Sequence, residues 1–399
     1  MGVDLAAWAN LGIRWLHFIA GISWIGASFY FVWLDNSLRA PPSPKPGVGG
    51  ELWAVHGGGF YHNEKFLVAP PDLPQHLHWF KWEAYTTWLS GFALLIIVYY
   101  VGADLYLIDS AKMNLSKSVA ILTGLAVLAG GWLVYDLLCR SPIGRRQEVF
   151  GAVWFALLTA ATFGLTRVFS DKGAFIHTGA VIGTVMAANV FMVIIPNQKK
   201  AVAAMIAGRK PDPALGAMAK QRSVHNNYMT LPVLLIMISG HYPMLVGHRF
   251  NWLLLASLAA ASVMVRHFFN LRHKGQERRA LVIGAAALFL ATALAASIKP
   301  SGAGATAAIR SASTDAAISA IMEEHCVSCH AVSPTDPAFS APPNGLTLES
   351  LDALRDHASA VRLQTVENEI MPLGNQTAMS AEERAVLGAW LDRQSGDGE

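Results

Sequence analysis

Charge is scarce in this chain. Only 14% of its 399 residues are Asp, Glu, Lys or Arg, while 53% are hydrophobic and the mean hydropathy is +0.37. Soluble domains carry roughly 25% charged residues, so an aqueous fold throughout is excluded. Disorder is excluded too, because disordered chains combine low hydrophobicity with high charge. Cysteine is scarcer still. Cys139 stands alone and Cys326 pairs with Cys329 in the sequence, too few for the disulfide framework of a small secreted protein. The first ten residues have no basic stretch ahead of an apolar core and no small-residue cleavage site, so no removable signal peptide is expected. There is no Gly-rich phosphate loop after a strand, no G-x-S-x-G and no H-E-x-x-H. Nucleic-acid binding has no support beyond basic loops that topology explains.

What is present divides unevenly. Residues 1–314 balance to +13 and residues 315–399 to −10, a basic apolar body before an acidic polar tail. A bilayer span needs about 20 mainly apolar residues, and eight stretches qualify: 8–34, 82–100, 118–138, 150–169, 175–195, 224–246, 252–269 and 281–298. The connections after the third, fifth and seventh are basic. They carry Arg140, Arg145 and Arg146, then Lys199, Lys200, Arg209, Lys210, Lys220 and Arg222, then Arg272, Lys274, Arg278 and Arg279. The alternate connections hold only Lys112, Lys117, Lys172 and Arg249. The positive-inside rule places the basic loops in the cytoplasm and both termini outside, in a bacterial periplasm. Two connections are longer than turns. Residues 35–78 form a long loop with His56, His62, His76, His78 and Gly57-Gly58-Gly59, and 197–221 reads as a short basic helix over 201–207.

The tail begins after residues 299–313, a Ser/Ala/Gly-rich stretch without periodicity that reads as a flexible linker. The expected units are therefore a transmembrane domain over 1–298, this linker, and a small all-α domain over 314–399. Ile318, Ile321 and Met322 share one helical face just before Cys326-Val327-Ser328-Cys329-His330. This is C-x-x-C-H, the attachment signature of c-type haem. Two thiols two residues apart can each bond a porphyrin side group, and the adjacent imidazole of His330 then lies beneath the iron. Zinc would need two further ligands, and His325 and His357 form no recognised pair. A methionine commonly fills the other axial position. Met371 is favoured over Met379, because the following Pro372 stiffens the loop that presents sulfur. Ser380 and Glu383 form a capping box before a last helix whose apolar face is Leu387, Trp390 and Leu391.

Ionisable residues within a membrane are costly and point to function. His17, His177, His225, His241 and His267 lie in or near the apolar stretches. The pattern would allow a second, non-covalent haem between helices, against the plainer reading of interhelical hydrogen bonds. Cys139 reads as an ordinary buried thiol.

Three segments together carry a resemblance: residues 15–26, WLHFIAGISWIG; residues 53–61, WAVHGGGFY; and residues 78–85, HWFKWEAY. With eight spans and a fused C-terminal cytochrome c, the chain resembles the PuuD-type membrane-bound urate oxidases (urate hydroxylases). That resemblance implies oxidation of urate to 5-hydroxyisourate in purine catabolism. Electrons would leave through the haem c, held by Cys326, Cys329, His330 and Met371, to a soluble cytochrome c or terminal oxidase instead of to oxygen. It assigns no catalytic residue. The residues alone show a membrane-anchored electron-transfer protein. They leave open a subunit of a respiratory complex that passes electrons from quinol or a partner to a soluble cytochrome.

Overall fold

The computed structural model describes residues 5–43, 45–297 and 307–396. Its architecture is all-α. The longer helices of the body, among the described residues, are α1 (Leu5–Ser37), α2 (Trp82–Leu94), α3 (Lys117–Arg140), α4 (Gln147–Val168), α5 (Asp171–Ala188), α6 (Ile195–Ile206), α7 (Pro213–Ser239), α8 (Asn251–His273) and α9 (Ala280–Ser297). Wide helical turns over Leu95–Val101 and Asn189–Ile194 prolong α2 and join α5 to α6. Short polar caps start several of them. Ser116 accepts from Val119 N, Ser170 from Gly173 N, and Asp212 from Ala214 N just ahead of Pro213, each satisfying an otherwise orphaned N–H.

Among the described residues, seven helices are long and apolar enough to cross a membrane, against the eight stretches expected. The shortfall is the stretch 224–246. It lies in α7, which starts at Pro213, ends at Ser239 and carries Arg222, Asn226 and Asn227 among its buried residues. Those polar groups lower its hydropathy. With 27 residues at about 1.5 Å each, it is nonetheless long enough to run the height of the bundle, and it packs along α5 and α8. Two other expectations are revised. The basic helix over 201–207 is no separate element, because α6 continues the fifth span without a break. Arg222 is not a loop charge: it is 4% exposed inside the body.

Residues 35–78 are more than a loop. Val48–His56 (β1) and Gly59–Phe66 (β2) form an antiparallel hairpin in which Trp53 faces His62 and Glu51 faces Glu64. Gly57 and Gly58 take φ of +56° and +80°, the left-handed pair that a tight two-residue hairpin turn requires. Asp35 at the end of α1 pairs with Lys65 on β2 and with Lys220 on α7, which ties the hairpin to the bundle end bearing the basic loops.

The tail has its own core. Ile318, Ile321 and Met322 of α11 (Asp315–His325) pack with Leu354, Met379, Leu387, Trp390 and Leu391, all 7% exposed or less. The Ser380–Glu383 capping box forms: Ser380 N donates to Glu383 Oε2 at 2.7 Å and Glu383 N to Ser380 Oγ at 3.2 Å. The expected linker is only partly described. Residues 299–306 lie outside the described residues, while Ala307–Ala312 (α10) is helical, because Ile309 packs on the tail core. The tail seats on the body around Asp104 to Ser110. Gly374 (φ +63°) is so close that a Cβ there would meet the carbonyls of Asp104 and Ile108 at 3.0 Å. Ser110 Oγ donates to Asn375 O at 3.5 Å, and a side chain at Gly247 would collide with Asn368.

Candidate functional site

Helix α11 delivers the motif of the tail. Cys326 N bonds Met322 O at 2.8 Å, and the chain re-enters a short helical turn, Val327–His330, in which His330 N bonds Cys326 O at 2.9 Å. The His330 Nδ1–H donates to Leu346 O at 2.9 Å. That bond fixes the tautomer and leaves Nε2 with its lone pair, the arrangement second-shell carbonyls impose on ligating imidazoles. Both thiols are free and partly buried. Burial, and then the neighbouring Cys329, push Cys326 up to about 11. Burial pushes Cys329 up as well. Both shifts run opposite to the lowered value that the reactive sulfur of a redox dithiol needs. Among the described residues, neither cysteine belongs to a cluster able to hold a metal ion. His325 instead bonds Thr377 Oγ1 at 2.7 Å and Glu383 at 3.3 Å. The donor set fits covalent haem attachment with His330 as one axial ligand.

The two methionines differ in setting. Met379 is 3% exposed and belongs to the apolar core. Met371 is half-buried, and its backbone is pinned on both sides: Met371 N donates to Gln364 O at 3.0 Å, and its carbonyl accepts from Arg384 Nη1 at 2.6 Å. Its segment touches the body, through Asn368 and Gly374. The cysteine segment is near the body too. Burial, then Asp336 and Cys329 of the tail, push the phenol of Tyr106 up.

The body histidines fall into separate settings. His17 Nδ1 reaches Thr87 O at 2.9 Å and packs against Gly91. His177, fully buried, donates from Nδ1 to Gly173 O at 2.8 Å, and a Cβ at Gly124 would lie 2.6 Å from its Nε2. His241 is exposed. His225 and His267 are brought together: both line a cavity of about 610 Å³ between α4, α7 and α8. Tyr135 OH bonds His225 Nδ1 at 2.8 Å, and Tyr228 OH bonds His267 Nδ1 at 2.7 Å.

Attention to histidines misses the buried charges. Arg222 Nη2 meets Asp136 Oδ1 at 2.7 Å and Arg222 Nη1 reaches Asn189 Oδ1 at 3.3 Å. Asn189 also donates to Tyr135 OH at 3.0 Å and to Asn226 Oδ1 at 2.8 Å. A second cluster joins Arg266 Nε and Asn270 Nδ2 to Asn227 Oδ1, at 2.8 and 3.1 Å. It leaves Arg266 Nη2, Asn227 Nδ2 and Asn270 Oδ1 buried and unpartnered. Asp136 and Arg266 lie within expected spans, so the cost of intramembrane charge could have found them.

The family model described as urate oxidase N-terminal matches residues 3–297. No curated protein and no solved structure matches the chain.

Proposed function

The chain belongs to the urate oxidase N-terminal family, and from that premise we propose that it oxidises urate at the membrane and passes the electrons to a haem c on its own tail. The family match across residues 3–297 carries the substrate. The C-x-x-C-H segment carries the electron exit. Urate and water give 5-hydroxyisourate, two protons and two electrons, so a route for the electrons is required. Haem c, when bound, supplies a one-electron acceptor. Cys326 and Cys329 would hold it through thioethers, with the free Nε2 of His330 and the sulfur of Met371 as its protein ligands; Met379 already fills the apolar core. Held by two protein ligands, the group would serve as an electron carrier rather than as an oxygen-binding site.

The orientation proposed is basic loops in the cytoplasm and the tail outside a bacterial inner membrane. It is supported by where the tail docks. Its contacts are Asp104 to Ser110 and Gly247, at the charge-poor end, opposite the loops with Arg145, Lys210 and Arg278. A soluble cytochrome c or a terminal oxidase would then receive the electrons outside.

The decisive experiment is anaerobic addition of urate to the purified full-length protein while the haem spectrum is followed. Urate should reduce the haem, and the Cys326→Ala/Cys329→Ala variant should lose both covalent haem staining and urate consumption. If urate leaves the haem oxidised while a quinol reduces it, the chain is an electron-transfer subunit. Peroxide released in proportion to urate consumed would remove the haem as the exit.

A further inference from the structure

The cavity between α4, α7 and α8 plays no part in the haem c reading. We propose that it binds a lipid-soluble quinone, with the ring against His225 and His267 and the isoprenoid tail leaving toward the lipid past Gly151. At about 610 Å³ it falls within the roughly 300–1,000 Å³ of small-molecule and cofactor sites. Its lining is graded. Glu148 near the start of α4, His225 and Tyr228 at the middle of α7 and His267 in the last third of α8 supply its polar groups, whereas Leu158, Ile236 and Leu255 line the other end. Gly151 and Ala152 of α4, both exposed, form part of its rim.

The polar end has a defined chemistry. Asn189 Nδ2 donates to Tyr135 OH, and that phenol can donate in turn to His225 Nδ1 at 2.8 Å. In that arrangement neutral His225 carries its proton on Nε2. Among the described residues that N–H has no hydrogen-bond partner, and the cavity it borders is where an acceptor would sit. The imidazole lies flat on Phe150, centroids 4.2 Å apart and 12° from parallel, which argues against a second haem here. No Lys or Arg lines the cavity, while Glu148 does, so an anion such as urate is disfavoured. A plain acyl chain would leave a buried donor without an acceptor, which costs free energy. A quinone offers a carbonyl oxygen to that donor and an apolar body to the rest.

The inference is independent of the urate reading, because its test contains no urate. Full-length protein in phosphatidylcholine nanodiscs is titrated with decyl-ubiquinone, and quenching of tryptophan fluorescence is followed, since Trp154 and Trp252 line the cavity. His225→Phe keeps a ring and removes the donor. Gly151→Phe crowds the rim from an exposed position whose Cβ meets nothing within 4 Å, and its thermal midpoint is checked alongside to confirm that it folds. Saturable binding is expected, with Kd raised by about tenfold in each variant, the loss of roughly one hydrogen bond or its equivalent in packing. Absence of saturable quenching in the wild-type protein overturns the proposal, as does wild-type affinity in either folded variant. Extraction of one non-covalent haem per chain into acidified acetone would also overturn it.

Discussion

Replacing Arg222 by Met leaves Asp136 inside the bundle with one cation fewer. Arg222 holds Asp136 at 2.7 Å, reaches Asn189 at 3.3 Å and lies 5.1 Å from the Tyr135 ring. Asp136 keeps Arg140 at 2.7 Å, but that side chain is 71% exposed and contributes as a surface pair does, about 0.2–1 kcal/mol. Breaking a buried pair by removing one partner costs about 3–5 kcal/mol. The remaining Arg140 contact puts the expected loss at the lower end, about 3 kcal/mol. At about 1–2 °C per kcal/mol for a chain of this length, the thermal midpoint of the detergent-solubilised chain should fall by about 3–6 °C. Asp136→Asn removes the uncompensated charge, so D136N/R222M should recover much of that loss. A cycle of the two singles and the double then isolates the coupling. Thermal unfolding followed by tryptophan fluorescence reads all four proteins. If R222M stays within about 0.5 kcal/mol of wild type, or the two substitutions simply add, the pair does not hold the bundle.

Two further outcomes are expected. The Ser380 hydroxyl and backbone N–H, and then His325, hold Glu383 down to about 2. A lowered folded value contributes stability above the unfolded carboxylate range that fades as pH falls toward 2. The hydrogen-exchange protection of residues 381–394, corrected for the intrinsic exchange rate at each pH, should therefore fall between about pH 4.5 and 2 in the wild type but hardly change in Glu383→Gln; equal acid sensitivity would reject the capping role. For topology, a cysteine at Lys210 should resist an impermeant thiol reagent in intact cells and one at Ala111 should react, both positions being exposed; the reverse pattern inverts the orientation.

The helices are legible in the sequence because an apolar run of bilayer length seldom occurs outside a membrane span. Helix α7 is legible only in part: Arg222, Asn226 and Asn227 enter the bundle as a polar first half, so the apolar window slides toward residue 246. The hairpin leaves no periodic trace, since Trp53, Val55 and Phe60 are all exposed and a strand without a buried face need not alternate. In the tail, α11 and the capping box are readable because each depends on residues within a few positions. The body sites are not. Tyr135 and His225 are 90 residues apart, and the cavity exists only where helices distant in sequence meet.

The seat of Gly374 on the carbonyls of Asp104 and Ile108 has a kinetic consequence. Because the tail is covalently joined to the surface it rests on, its local concentration there is fixed by chain length, on the order of millimolar for a short tether. A contact patch too small to hold a free domain would still be occupied most of the time. On the proposed electron route, hand-off between body and tail would be a first-order event inside each molecule, indifferent to how densely the membrane is populated. Only the final exchange with a diffusing acceptor would depend on encounter, and hence on salt.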